Sequence, residues 1–86
     1  MKILIFGAIG CNSCLTMKTL SRNLKLEFPE IIFEYIDVDI NESKVKKYNI
    51  EETPTLVFLN FKGKEITRKI GIQHRDTILE VIEDNL

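Results

Sequence analysis

Two cysteines three residues apart, Cys11-Asn12-Ser13-Cys14, stand where an apolar run gives way to a helical pattern. This placement limits the chain more than any other feature. Before the pair, Lys2 to Phe6 is apolar and partly β-branched with little alternation, the pattern of a strand covered on both faces. The segment Gly7 to Gly10 interrupts it. From Asn12 onward, Met17, Leu20, Leu24 and Phe28 recur at spacings of three and four, with Lys18, Arg22 and Lys25 between them. That periodicity predicts an amphipathic helix, and Pro29 ends it.

The remaining elements follow in order. Ile31 to Asp39 predicts a second strand, with Phe33 and Tyr35 on one face and Ile32, Ile36 and Val38 mainly on the other. Asn41 is placed to cap a short helix that buries Val45 and Tyr48 and carries Lys46 and Lys47 in its last turn. Thr55 to Phe61 is almost wholly apolar and predicts a central strand. Lys62-Gly63-Lys64 predicts a hairpin turn. Glu65 to Ile70 then predicts an edge strand, with Ile66 and Ile70 inward and Thr67 and Lys69 outward. After Gly71, His74 to Leu86 predicts a last helix burying Ile78, Val81 and Ile82.

The order βαβαββα follows. Two strands joined through a long helix should be parallel, with a right-handed crossover, and two strands joined by a tight turn must be antiparallel. The expectation is one α/β domain over residues 1–86, a four-stranded mixed sheet flanked by three helices. No repeat, low-complexity tract or linker divides it.

Composition narrows the function classes. Twelve basic residues against thirteen acidic leave a net charge of −1, which gives specific nucleic-acid binding little electrostatic support. No stretch approaches the ~20 apolar residues of a membrane span. The N-terminal run is too short for a secretory signal, so the expected compartment is the cytoplasm. In that reducing setting, a pair of cysteines reads as reactive or metal-binding rather than as a static staple.

The spacing supplies the chemistry. Residues three apart in a helical turn share a face, close enough for a disulfide. Cys11 lies at the helix start, where free N–H groups and the positive end of the dipole favour a thiolate, the nucleophilic form. Cys14 lies one turn inside and should be less exposed. Cys11 therefore attacks a substrate disulfide, and Cys14 resolves the mixed disulfide that results. Zinc needs four ligands, and the chain offers no further cysteine and only His74, so no metal is expected within one chain. A metal shared between two chains is the different-class alternative.

Three other features bear on the reading. Pro54 opens the apolar third strand although proline cannot donate to a ladder. It is either simply the first residue of that strand or, with the cysteine pair, part of a cis Thr53–Pro54 bond packed against the sulfurs. His74, alone and without a named partner, reads as a polar or exposed residue at a helix start. Asp37, Asp39 and Glu42 read as capping and solvation around a strand end and a helix start.

The segment Phe6-Gly7-Ala8-Ile9-Gly10-Cys11-Asn12-Ser13-Cys14 resembles the glutaredoxin approach to its dithiol. Thr53-Pro54-Thr55, Lys62-Gly63-Lys64-Glu65 and Ile70-Gly71-Ile72 resemble thioredoxin, and together the likeness covers essentially the whole chain. This resemblance implies a thioredoxin-like fold and a protein-disulfide reductase of the electron-carrier type. It implies a substrate surface in which Thr53 and Pro54 sit beside the dithiol, with Ile9, Gly10, Ile70, Gly71 and Ile72 flanking them. No bound cofactor is implied. Electrons would come from an external reductase, such as a flavoprotein thioredoxin reductase, or from a low-molecular-weight thiol. The implied partners are disulfide-containing proteins, and the chain is expected to be a monomer. The alternatives are a glutathione-dependent glutaredoxin and a non-catalytic redox- or metal-responsive binding module.

The chain also departs from both patterns. Gly10 stands where thioredoxins have a Trp, and Asn12-Ser13 where they have Gly-Pro. Ile5 and Tyr35 stand where they have a buried acid and its lysine partner. Gly71-Ile72-Gln73 replaces the Gly-Gly-Asp with which glutaredoxins hold glutathione.

Overall fold

Ile3, Leu4, Ile5 and Phe6 are all buried in the computed structural model, which describes residues 1–86. The strand that carries them, β1 (Lys2–Gly7), lies inside the sheet and is covered on both faces. It is followed by α1 (Asn12–Glu27), β2 (Ile32–Asp37), α2 (Glu42–Lys47), β3 (Thr55–Leu59), β4 (Glu65–Ile70) and α3 (Arg75–Asp84). The spatial order is β2-β1-β3-β4. β1 runs parallel to β2 and antiparallel to β3, and β3 runs antiparallel to β4. The element order, strand directions and central place of β3 agree with the expectation from sequence. Several element ends are trimmed by one or two residues: β2 begins at Ile32 and ends at Asp37, β3 stops at Leu59, and α3 runs from Arg75 to Asp84.

Alternation along β1 and β3 divides the interior in two. Ile3, Ile5, Leu56 and Phe58 face Met17 and Leu24 of α1 and Ile78, Val81 and Ile82 of α3, forming a ten-residue cluster with Ile31. Leu4, Phe6, Ile36, Val57 and Leu59 form a five-residue cluster on the other face, flanked by Val38, Tyr48 and Ile50. Along α1 the buried residues are Cys14, Met17, Ser21 and Leu24, the three-and-four spacing of one helix face. The helix stops because Phe28, just before Pro29, leaves helical geometry while its N–H still reaches the Leu24 carbonyl.

Three local expectations are corrected. Asn41 occupies the position before α2, but its side chain makes no cap; its amide donates to the Asp37 carbonyl at 2.9 Å instead. The α2 helix buries no residue fully, and Val45 and Tyr48 are only half-buried, because six residues cannot turn a complete face onto the sheet. In β4 the inward alternation of Ile66 and Ile70 fails. Leu59 pairs with Glu65 and Phe58 with Thr67, so Ile66 is the extra residue of a bulge. Ile66 therefore packs against the ten-residue cluster, whereas Ile70 is 55% exposed. Ile32, at the start of the edge strand β2, lies on the same face as Ile36 by register but is exposed at the sheet's rim.

The β3–β4 turn falls where expected, but Asn60 organises it. Its side-chain oxygen accepts from the N–H groups of Lys62 and Lys64 at 2.9 and 3.0 Å. Gly63 takes φ of 81°, which glycine adopts without a steric penalty.

Candidate active site

The antiparallel pairing of β1 with β3 brings distant segments to one end of the sheet. Phe6 pairs with Thr55, and Thr55 pairs in turn with Ile70. The loop from Gly7 to Cys11, the Thr53–Pro54 segment and the Ile70–Ile72 segment therefore leave the sheet at the same end. Gly71 N–H donates to the Pro54 carbonyl at 2.8 Å and ties the last two together. The Thr53–Pro54 peptide bond is cis. Pro54 is buried and Thr53 half-buried.

Cys11 occupies the N-cap position of α1 in an extended conformation, with φ of −99° and ψ of 106°. Its sulfur accepts the N–H of Cys14 at 3.2 Å, doing for the helix what a serine oxygen does at other N-caps. An N–H directed at Sγ, at the positive end of a sixteen-residue helix, stabilises the sulfur as an anion once the disulfide is reduced. The two cysteines are joined as a disulfide with their Cα atoms 5.2 Å apart. Cys14 is 0% exposed and Cys11 is half-buried, so Cys11 is the sulfur that solvent reaches.

Ser13, inside the dithiol turn, carries no sequence signal of its own. Its hydroxyl lies 3.5 Å from Cys11 Sγ, and with that sulfur in a disulfide the hydroxyl can only be the donor. Met17 is a core residue, 2% exposed. Its sulfur nevertheless accepts the Gln73 N–H at 3.4 Å and so joins α1 to the loop before α3. Residues 56 positions apart leave no local pattern that would reveal such a contact.

Three large apolar side chains are exposed in the segments that meet around the dithiol. Ile9 is 83% exposed, Ile70 55% and Ile72 58%, and Gly10 carries no side chain that would cover the sulfurs. His74 sits at the N-cap of α3, exposed and without a side-chain capping bond. Asp37 accepts the Asp39 N–H at 2.9 Å in a local turn. No three His, Cys, Asp or Glu side chains gather in a way that could hold a metal ion.

Behind the dithiol loop, Tyr35 on β2 reaches towards Gly7 at the end of β1. A Cβ on Gly7 would collide with the Tyr35 hydroxyl. Gly7 has no positive φ, so space rather than backbone conformation demands glycine there. The Lys18 ammonium lies 4.8 Å from the centre of the Tyr35 ring. Burial, with the Asp37 carboxylate adding to it, raises the phenol above its ordinary pKa. Ile5 is part of the apolar core, so this site has no carboxylate at that position.

Residues 1–84 match the Thioredoxin family model. The chain belongs to the thioredoxin family. Among its relatives, Thioredoxin H5 of Oryza sativa subsp. japonica is 35% identical over 74 residues, covering 86% of this chain and 54% of that protein. Thioredoxin of Chlamydia trachomatis is 26% identical over 77 residues, covering 90% of this chain and 74% of its own length. The solved thioredoxin of Fasciola hepatica superposes with a TM-score of 0.89 at 32% identity, covering 99% of this chain and 80% of that one. The chain thus spans about half of the rice protein, about three quarters of the Chlamydia protein and four fifths of the Fasciola one. Its fold is the thioredoxin fold. Family membership and the cysteine pair together support a disulfide oxidoreductase. No helix is long and apolar enough to cross a membrane.

Proposed function

We propose that this chain reduces protein disulfides by dithiol exchange, with Cys11 as nucleophile and Cys14 as resolving thiol. The observation that carries the reading is the asymmetry of the pair: Cys11 is accessible and receives a helix N–H, whereas Cys14 is fully buried. The Cys11 thiolate attacks one sulfur of the substrate disulfide. A Cys11–substrate disulfide forms, and the other substrate sulfur leaves as a thiolate that takes up a proton. Cys14 then gives up its proton and attacks Cys11 Sγ. The mixed disulfide breaks, the second substrate thiolate leaves and is protonated, and the Cys11–Cys14 disulfide is restored. Two electrons have passed to the substrate.

Thr53 and Pro54, with Ile9, Gly10, Ile70, Gly71 and Ile72, form the substrate surface in this reading. Their support is that these segments meet at one end of the sheet, where Ile9, Ile70 and Ile72 expose apolar area. The cycle needs no bound cofactor, because an external flavoprotein reductase or a small thiol returns the two electrons by exchange. A reducing compartment such as the cytoplasm, and a monomeric state, fit this role. The test is dithiothreitol-driven reduction of insulin, followed by turbidity. Catalytic amounts of the chain should shorten the lag and steepen the rise. A time course no faster than dithiothreitol alone would overturn the reading.

A further inference from the structure

A cleft of about 610 Å³ opens between the outer face of α1 and the segment leading into α3. Leu15, Thr19 and Leu20 line one wall, and Ile72, His74 and Arg75 line the other. Leu15 directly follows Cys14, and Ile72 directly follows the glycine that bonds Pro54, so the near end of the cleft opens at the dithiol. Leu15 is 60% exposed, a large apolar side chain left uncovered beside the reacting sulfurs.

Both walls are held in place before any ligand arrives. Gln73 N–H bonds Met17 Sδ across the floor, and the Gln73 side-chain amide donates to the carbonyls of Ile70 and Gly71 at 3.1 and 3.3 Å. At the far end, the Arg75 guanidinium is bonded to Glu27. A mostly preformed, partly apolar cleft with a few fixed polar groups has the character of a binding site.

Length and charge describe the occupant. From Leu15 to Asn23 the helix rises about 12 Å at ~1.5 Å per residue, which about four extended residues would span at ~3.3 Å each. The lining contains no carboxylate. Its ionisable members are His74 and Arg75, and Glu27 occupies only part of the five-donor guanidinium.

We infer that this cleft receives the stretch of substrate chain adjoining the reacting cysteine. It selects a bulky apolar residue within about four positions of that cysteine and a carboxylate beyond it, facing Arg75. The inference rests on the disulfide-reductase reading. It adds which disulfides are reduced fastest.

The test uses short peptides, each with one cysteine as a mixed disulfide with thionitrobenzoate, attacked by the reduced protein. Release of coloured thionitrobenzoate gives kcat/KM for the first exchange. A Phe and an Asp are placed two to four positions away, on either side of the cysteine, and compared with alanine peptides and with Phe–Lys peptides. One Phe–Asp placement should react about tenfold faster than its alanine counterpart, the low end for filling an apolar subsite. The Phe–Lys peptide should fall between them. Thr19→Trp, which fills the cleft from an exposed helix position, should reduce the preferred peptide to the alanine rate. Arg75→Ala should remove the preference for Asp over Lys while keeping that for Phe. Equal rates for all peptides, or a preference that survives Thr19→Trp, would overturn the inference. Failure of every peptide and of dithiobis(nitrobenzoate) to react at all would instead overturn the reductase reading beneath it.

Discussion

The two faces of the sheet are built to different standards. On the face covered by α1 and α3, ten buried side chains interlock, and the helix that covers them also starts at the dithiol. On the face beneath α2, five buried residues suffice, and the covering helix has six residues, none fully buried. The chemistry stands on the better-packed face. A dithiol must hold its attacking sulfur, its resolving sulfur and its substrate contacts in one geometry, and rigid packing beneath α1 provides that. The α2 face has only to keep β1 and β3 out of water.

Substitutions can break or sharpen this contrast. The largest effect should come at the dithiol. Cys11→Ser should lose all insulin reduction above the dithiothreitol background. Cys14→Ser should instead accumulate mixed disulfides with protein substrates, seen on non-reducing gels, because the first exchange proceeds and the second cannot. Equal trapping by both variants would show that the assigned roles are wrong.

In the ten-residue cluster, Phe58→Ala removes a fully buried ring and should cost about 3–5 kcal/mol in urea unfolding. A smaller loss is expected of Gly7→Ala, about 1–3 kcal/mol, since the added methyl meets the Tyr35 hydroxyl and the ring must shift. The double change Gly7→Ala with Tyr35→Phe should recover part of that loss, which would tie the cost to the hydroxyl. On the opposite face, Val45→Ala should cost only about 1 kcal/mol. A Val45→Ala loss as large as that of Phe58→Ala would abolish the distinction between the faces.

The smallest effect tests the ion pairs at the margin of the thinner face. Glu34 receives hydrogen bonds from Lys44 and Lys2, with Nζ–O distances of 2.7 and 3.0 Å. The Lys44 bond first, and then the Lys2 bond, hold its carboxyl below the ordinary value of 4.5. The folded pKa is depressed, so the contribution is whole above pH 4.5 and disappears as pH falls through the folded value. The stability gap between wild type and Glu34→Gln should therefore be small at neutral pH and close below pH 4.5. A gap that widens in acid would contradict the sign of this linkage.

Much of this molecule was legible in its sequence because it is written in local period. The spacing of Met17, Leu24, Ile78, Val81 and Ile82 marks two helix faces, and all five are buried where the period puts them. The apolar run from Thr55 marks an inner strand. Three residues from Cys11 to Cys14 across a helix start determine which sulfur is outside and which is inside, since one turn of helix is enough to bury the second.

Only the tertiary structure decided the rest, and at the cleft and at Gly7 the deciding contact joins residues far apart in the chain. A bulge opposite Phe58 and Leu59 turns Ile66 to the core and leaves Ile70 exposed beside the site, against the alternation of β4 taken alone. Asn41 finds the Asp37 carbonyl and so leaves its own helix uncapped. The Gln73 bond to Met17 and the Arg75 bond to Glu27 set the walls of the cleft across 56 and 48 residues. Gly7 is small because Tyr35, on the neighbouring strand, fills the space a side chain would occupy. A residue's period along its own element can be read without its neighbours. Which distant partner satisfies a donor or fills a volume is fixed only when the elements pack, because that choice depends on distances the chain acquires on folding.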